Sequence, residues 1–103
     1  MYNYENISDN LLELETASFA HCKNLRTITG LSNIKKIYPE AFYDCPALMN
    51  IDLGNSLESI GDAAFYNNKC LNNVKLPNTL KSIGVYAFQG CESLQSLILP
   101  GSV

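Results

Sequence analysis

The clearest copy of a repeated motif lies at residues 71–91 and reads LNNVKLPNTLKSIGVYAFQGC. In its first part, residues 71–76, Val74 and Leu76 alternate with the polar Lys75, which is typical of a strand with one buried face. Pro77 ends this strand because proline cannot donate a ladder hydrogen bond. A second short extended piece follows at residues 80–83. Residues 85–91 then have apolar spacings that fit one helical or 3₁₀ turn.

The same motif recurs every 23 residues, and its apolar positions align in six columns over four copies. The columns are Leu11, Ile34, Leu57 and Leu80; Leu14, Ile37, Ile60 and Ile83; Phe19, Phe42, Phe65 and Phe88; Leu25, Leu48, Leu71 and Leu94; Ile28, Ile51, Val74 and Leu97; and Gly30, Leu53, Leu76 and Leu99. Gly30 is the only residue in these columns without an apolar side chain. Agreement of this kind is typical of a repeat architecture.

A single 23-residue unit is too small to bury its own apolar columns, whereas stacked units share one continuous core. The period falls within the range of leucine-rich repeats. We therefore predict an α/β horseshoe-type fold: a right-handed, strand-rich solenoid with a parallel sheet on one wall and short helical or 3₁₀ turns. Four coils at about 4.8 Å each would be only about 20 Å long.

Composition and charge narrow the classes of function. The 103 residues include 7 Lys plus Arg and 10 Asp plus Glu, a net charge of −3. A weakly acidic chain without a basic cluster argues against nucleic acid and anionic membranes as partners. Apolar runs are too short for a membrane span, and the first residues do not resemble a secretory signal. The hydrophobic content of 47% predicts a folded chain and not a disordered one.

The motif resembles the BspA-like leucine-rich repeat. Residues 48–103 carry the closest matches: an "LPxSL"-like turn around Pro77, an "IG" step at Gly61 and Gly84, and an "AF" pair ending at Phe88. The first two units depart from it, with Glu15 and Tyr38 where glycine is expected. The resemblance covers residues 11–103. It implies a horseshoe or ramp-shaped solenoid in surface proteins, with members that look like adhesins or protein-binding arrays and not like enzymes.

The repeat arithmetic predicts the domain organisation. Residues 1–10 are interpreted as a degenerate N-terminal unit or cap, and residues 11–103 as four 23-residue units. Because Val103 falls where another unit would begin, we expect a piece of a longer array. The strand predicted at Ser96–Leu99 would have an open edge, so end-to-end self-association is expected.

Three of the four cysteines, Cys22, Cys45 and Cys91, share one column, where the third unit has Asn68. We interpret them as free thiols that fill the core. A Cys22–Cys45 disulfide and a zinc site that adds His21 are the alternatives. His21 is the only histidine and is interpreted as an exposed turn residue. No catalytic constellation or cofactor motif is evident, so we predict a protein that is not an enzyme and has no metal or cofactor.

Two surfaces are candidates for binding. The first, called the sheet wall below, carries two outward rows: Thr27, Asn50, Asn73 and Ser96, and Thr29, Asp52, Lys75 and Ile98. The alternative is an edge with four tyrosines: Tyr38, Tyr43, Tyr66 and Tyr86. The hypotheses are a protein-binding module, with glycan as a second ligand class, or structural spacer repeats that hold another domain away from the cell. The resemblance implies a cell-surface or secreted protein.

Overall fold

The computed structural model describes residues 4–6 and 11–103 of the chain. These residues form eight short strands and a series of turns. The strands are β1 (Tyr4–Asn6), β2 (Glu13–Leu14), β3 (Thr27–Thr29), β4 (Lys36–Ile37), β5 (Asn50–Ile51), β6 (Ser59–Ile60), β7 (Asn73–Val74) and β8 (Ser82–Ile83). They build two parallel sheets, a first sheet in the order β1-β3-β5-β7 and a second sheet in the order β2-β4-β6-β8.

The register of both sheets confirms the 23-residue coil. Thr27 pairs with Asn50 in the first sheet, and Lys36 pairs with Ser59 in the second. Strand β1 pairs with β3 at the same offset, so residues 4–6 continue the ladder. Residues 1–3 and 7–10 lie outside the described part of the chain. The interpretation of residues 1–10 as a degenerate N-terminal unit or cap stays a prediction.

The core lies between the two sheets and the turns, and it contains the predicted columns except at their ends, where Leu11 is 36% and Leu99 is 55% exposed. Phe42, Phe65, Leu48 and Leu71 are completely buried. The four phenylalanines form one stack, with ring centroids 5.4, 5.2 and 5.3 Å apart and ring planes within 8° of parallel. At Gly30, which has no apolar side chain, the next residue Leu31 is buried with 1% exposure.

The third side of each coil differs from the predicted helical turn. It is formed by residues 15–22, 38–45, 61–68 and 84–91, which we call the turn edge. The described chain has no helix here and instead makes consecutive turns with left-handed residues two positions before and two after each phenylalanine, such as Ala63 (φ 55°) and Asn67 (φ 62°).

Hydrogen bonding explains why turns replace the helix. Left-handed residues let alternate N–H groups face the next coil: the Phe42 N–H donates to Ala64 O and the Phe65 N–H to Ala87 O, both at 2.8 Å. A helix would use these donors within its own coil and leave the coil-to-coil bonds unmade. The turn edge therefore adds a third ladder to the two sheets.

The glycines of the "IG" step are required by close contact between coils. A Cβ atom at Gly61 would lie 2.4 Å from the backbone nitrogen of Pro39, and one at Gly84 would lie 2.4 Å from that of Asp62. Real Cβ atoms are not found at such distances. The small residue therefore permits the stacking.

The prediction of a strand at Ser96–Leu99 is wrong. Residues 94–100 belong to neither sheet, and Ile98 is 84% exposed. Within this chain the fourth coil has a neighbouring coil on one side only, so fewer contacts hold its backbone in extended register. The self-association expected through this end stays a prediction.

Candidate functional site

The first sheet places most of the sheet wall as predicted. Register aligns Thr27, Asn50 and Asn73 on neighbouring strands. Thr27 is half-buried, and the other residues of the two rows are exposed. The alternate residues Ile28 and Ile51 face the core and are buried. Side-chain alternation along each strand therefore separates a packing face from an accessible face.

Four of the predicted wall residues line one groove of about 520 Å³. These are Asn73, Lys75, Ser96 and Ile98, which face each other across the gap between β7 and the irregular stretch after it. The walls also include Asn72, Asn78 and Pro100, which lie outside the two predicted rows. Asn72 and Asn78 are polar and exposed, which is a signal that the sequence carries, whereas Pro100 is half-buried and apolar.

Asp52 and Thr29 contribute to a smaller depression of about 130 Å³. One carboxylate oxygen of Asp52 accepts a hydrogen bond from the Gly54 N–H at 3.0 Å. Gly54 has a φ of +67° and fits against Ser32, where a Cβ would lie 2.7 Å from the backbone oxygen. This contact fixes the turn after β5 and with it the direction of the Asp52 side chain.

The turn edge brings three of the four tyrosines together. Tyr43 and Tyr66 are stacked with ring centroids 5.0 Å apart, and both line a groove of about 360 Å³ with Tyr86, which is 64% exposed. Tyr38 lies elsewhere, in a groove of about 450 Å³ on the second sheet beside Gly61. The four-residue tyrosine edge is therefore divided between two grooves.

Polar side chains form a further row along the turn edge. Asp44 accepts a hydrogen bond from the Asn67 amide at 2.9 Å, and its other oxygen lies 3.1 Å from His21 Nδ1. His21 is 62% exposed in its side chain, as expected, and its ring packs edge-on against Tyr43 at a centroid distance of 5.5 Å. The sequence signal for this row was the common offset of 23 residues, which the sequence interpretation did not use.

The cysteine column has a structural role that includes Asn68. The thiol of Cys45 donates to Phe19 O at 3.1 Å, the Asn68 amide nitrogen donates to Phe42 O at 2.8 Å, and the thiol of Cys91 donates to Phe65 O at 3.2 Å. None of the four cysteines forms a disulfide. The Cys22–Cys45 disulfide, one of the alternatives, is therefore not formed, and Asn68 takes the place of cysteine in the column by donating to the same kind of backbone carbonyl.

Burial makes the core thiols poor nucleophiles. Loss of hydration raises the pKa of Cys45 from 9.0 to about 12 and also raises the pKa of Cys91. Both groups stay protonated at neutral pH, and a thiol reacts through its thiolate form.

The described residues, 4–6 and 11–103, lack two kinds of feature. In this part of the chain no three His, Cys, Asp or Glu side chains are grouped so that they would hold a metal ion. The same residues contain no helix that is long and apolar enough to cross a bilayer.

Comparison with known structures places the coil among bacterial leucine-rich repeat proteins. A leucine-rich repeat protein from Bacteroides ovatus is 36% identical with a TM-score of 0.79, over 81% of this chain and 22% of that one. The T. pallidum leucine-rich repeat protein is 26% identical with a TM-score of 0.61, over 94% and 58%. A third, from Eubacterium ventriosum, is 22% identical with a TM-score of 0.51, over 98% and 40%, and shows the fold alone.

The chain thus spans between 22% and 58% of the length of these solved proteins. No curated protein matches it closely enough to count as a relative. The model of the BspA type leucine-rich repeat region, in contrast, matches residues 2–103 in six copies. The chain therefore belongs to the family of BspA type leucine-rich repeats.

Proposed function

We propose that this chain is a non-catalytic protein-binding module that holds its partner on the sheet wall. Leucine-rich repeats in general are protein-interaction modules built on non-enzymatic scaffolds. The observation that carries the proposal is the groove of about 520 Å³, because four residues chosen from the sequence as outward-facing line it together.

The chemistry of the wall favours a protein ligand. It offers amides at Asn50 and Asn73, opposite charges at Asp52 and Lys75, and an exposed apolar side chain at Ile98. Such a mixture of polar groups and an apolar contact is typical of non-obligate protein interfaces. The strands hold these groups in fixed positions, so little conformational entropy is lost on binding.

The area of four coils limits the affinity of a single site. Neighbouring strands are about 4.8 Å apart, so the described strands of the wall extend over a short distance. We expect modest affinity for one copy and a gain by multivalency where several copies act together. Adhesin-like display at a cell surface, or secretion, fits this behaviour and agrees with the family resemblance. A glycan remains the second ligand class.

A structural spacer is the alternative function, and a separate observation favours it. The two sheets, the turn-edge ladder and the continuous phenylalanine stack connect every described coil to the next. Such connections resist bending and pulling, which a spacer requires. If the chain is a spacer, substitutions of the sheet-wall residues should not change the binding of any ligand.

The test is binding of the purified chain to a panel of extracellular-matrix proteins and glycans by biolayer interferometry. Asp52→Lys with Asn73→Glu should abolish the strongest protein interaction, while Tyr43→Ala with Tyr66→Ala should leave it intact. Circular dichroism melting checks that both variants fold. Loss of binding only in the tyrosine variant would rule out the sheet wall, and no protein bound by the unmodified chain would favour the spacer.

A further inference from the structure

We propose that the turn edge is a second interaction surface, which binds an arginine-containing basic segment of a protein partner in the groove between Tyr66 and Tyr86. This surface lies on a different side of the coil from the sheet wall. The proposal does not depend on the ligand of that wall, and it is tested with a different probe.

The shape of the groove follows from two columns of the repeat. One column reads Ala20, Tyr43, Tyr66 and Gln89, and the other reads Ala17, Glu40, Ala63 and Tyr86. The tyrosine stack ends at Tyr66 because the next coil supplies Gln89, while Tyr86 projects from the neighbouring column over the small Ala63. These residues, with Tyr43, enclose about 360 Å³.

The negative charge of the turn edge favours a positively charged ligand. Its four segments contain the carboxylates Glu15, Glu40, Asp44 and Asp62, and they contain no lysine or arginine. The nearest basic residues in sequence, Lys23 and Lys69, follow the cysteine column and belong to the corner that leads into the first sheet. A partner with positive charge is therefore attracted to this side of the coil.

The repeat places one carboxylate, Glu40, beside the groove. Glu40 is exposed and precedes Ala63 by one coil in the same column. Asp62 is exposed and precedes Ala63 in the chain, but it lines the groove of the second sheet together with Tyr38. One oxygen of Asp62 accepts the Val85 N–H at 2.9 Å, and that bond leaves its second oxygen unused. Asp44, in contrast, is already engaged by two side chains of the turn edge.

A tyrosine ring beside a carboxylate matches a guanidinium group. Its flat face packs on an aromatic ring, and its N–H groups donate to a carboxylate in a paired geometry. Lysine satisfies the charge but has no planar group to stack, so arginine is preferred. A second copy of this chain is a poor source of that group, because the chain contains one arginine, Arg26.

The proposal is tested by fluorescence anisotropy with a labelled (Arg-Ser)₅ peptide, and with (Lys-Ser)₅ and (Glu-Ser)₅ for comparison. We expect binding of (Arg-Ser)₅ that is weaker for (Lys-Ser)₅, absent for (Glu-Ser)₅ and reduced by salt. The double variant Glu40→Gln with Tyr86→Ala should weaken it about fivefold to tenfold. Alanine suits position 86, since Ala17 and Ala63 hold the same column with φ values of 56° and 55°.

A matched control variant removes comparable side chains from the sheet wall. Asp52→Asn with Ile98→Ala also deletes one negative charge and one exposed apolar side chain, and it should leave (Arg-Ser)₅ binding unchanged. Equal loss in both double variants, an unaffected turn-edge variant, or no binding at low salt would overturn the proposal. So would a concentration-dependent dimer that Tyr86→Ala abolishes, because a second copy would then be the occupant.

Discussion

Replacing Phe65 by alanine perturbs the centre of the aromatic stack. Phe65 is 0% exposed and lies between Phe42 and Phe88, with ring centroids 5.2 and 5.3 Å away. Truncating a buried phenylalanine costs about 3–5 kcal/mol through lost transfer energy and an unfilled cavity. Because two stacked contacts are lost together, we expect the upper half of that range, about 4–5 kcal/mol.

Phe19→Ala provides the matched control for this loss. Phe19 is half-buried and stacks on one neighbour, Phe42, at 5.4 Å. We expect it to lower the free energy of unfolding by about 2 kcal/mol, because less area and one stacked contact are lost. Domains of this size are stable by about 5–15 kcal/mol, so Phe65→Ala removes a large part of the total.

Urea unfolding followed by circular dichroism measures both changes. With an m-value of about 2 kcal/mol/M, the unfolding midpoint of Phe65→Ala should fall by about 2 M, and that of Phe19→Ala by about 1 M. Equal shifts for the two variants, or a Phe65→Ala midpoint within about 0.5 M of the unmodified protein, would refute the stacking register.

Four further predictions concern other parts of the coil. Asn68→Cys should raise the melting temperature, because Oδ1 of Asn68 is buried without a hydrogen-bond partner; a lower value would contradict this. Cys70, the exposed thiol, should react first with Ellman's reagent, and four thiols should react after denaturation. The pKa of Cys45 rises from 9.0 to about 12 on folding, so its contribution to stability is full below pH 9 and is lost as pH rises towards 12, which urea titrations between pH 8 and 11 would detect. Gly61→Ala should destabilise strongly through its contact with the previous coil, whereas Gly101→Ala, with nothing within 4 Å, should not.

The sequence was sufficient to predict the coil, because the same apolar pattern occurs in each repeat unit. Each apolar column has one environment, so an offset of 23 residues predicts both which residues are buried and which strands pair. Phe65 and Leu71 needed no knowledge of the backbone to be assigned to the core. The buried amide of Asn68 was predictable for the same reason, since its column elsewhere contains thiols that donate to the same kind of carbonyl.

The apolar columns of the repeat do not report the backbone conformation of the turns or the shape of the surface grooves. Glu40 and Asp44 have left-handed backbone conformations although neither is a glycine. The sequence therefore offered only the apolar spacing, which suggested a helical turn. Tyr38 and Tyr43 are close in sequence, yet they face different grooves because the chain turns between them. The missing strand at Ser96–Leu99 depends on contacts with neighbouring coils, which residue types do not report.

The most direct test of the proposed function maps a complex on the molecule by NMR. The ¹⁵N-labelled chain is titrated with the protein that binds it best in the interferometry panel, and amide shifts are followed residue by residue. Binding on the sheet wall predicts changes at Asn50, Asp52 and Asn73, with Ser59 and Ser82 of the second sheet unaffected. Changes confined to Ser59 and Ser82, with the wall amides unmoved, would contradict the account.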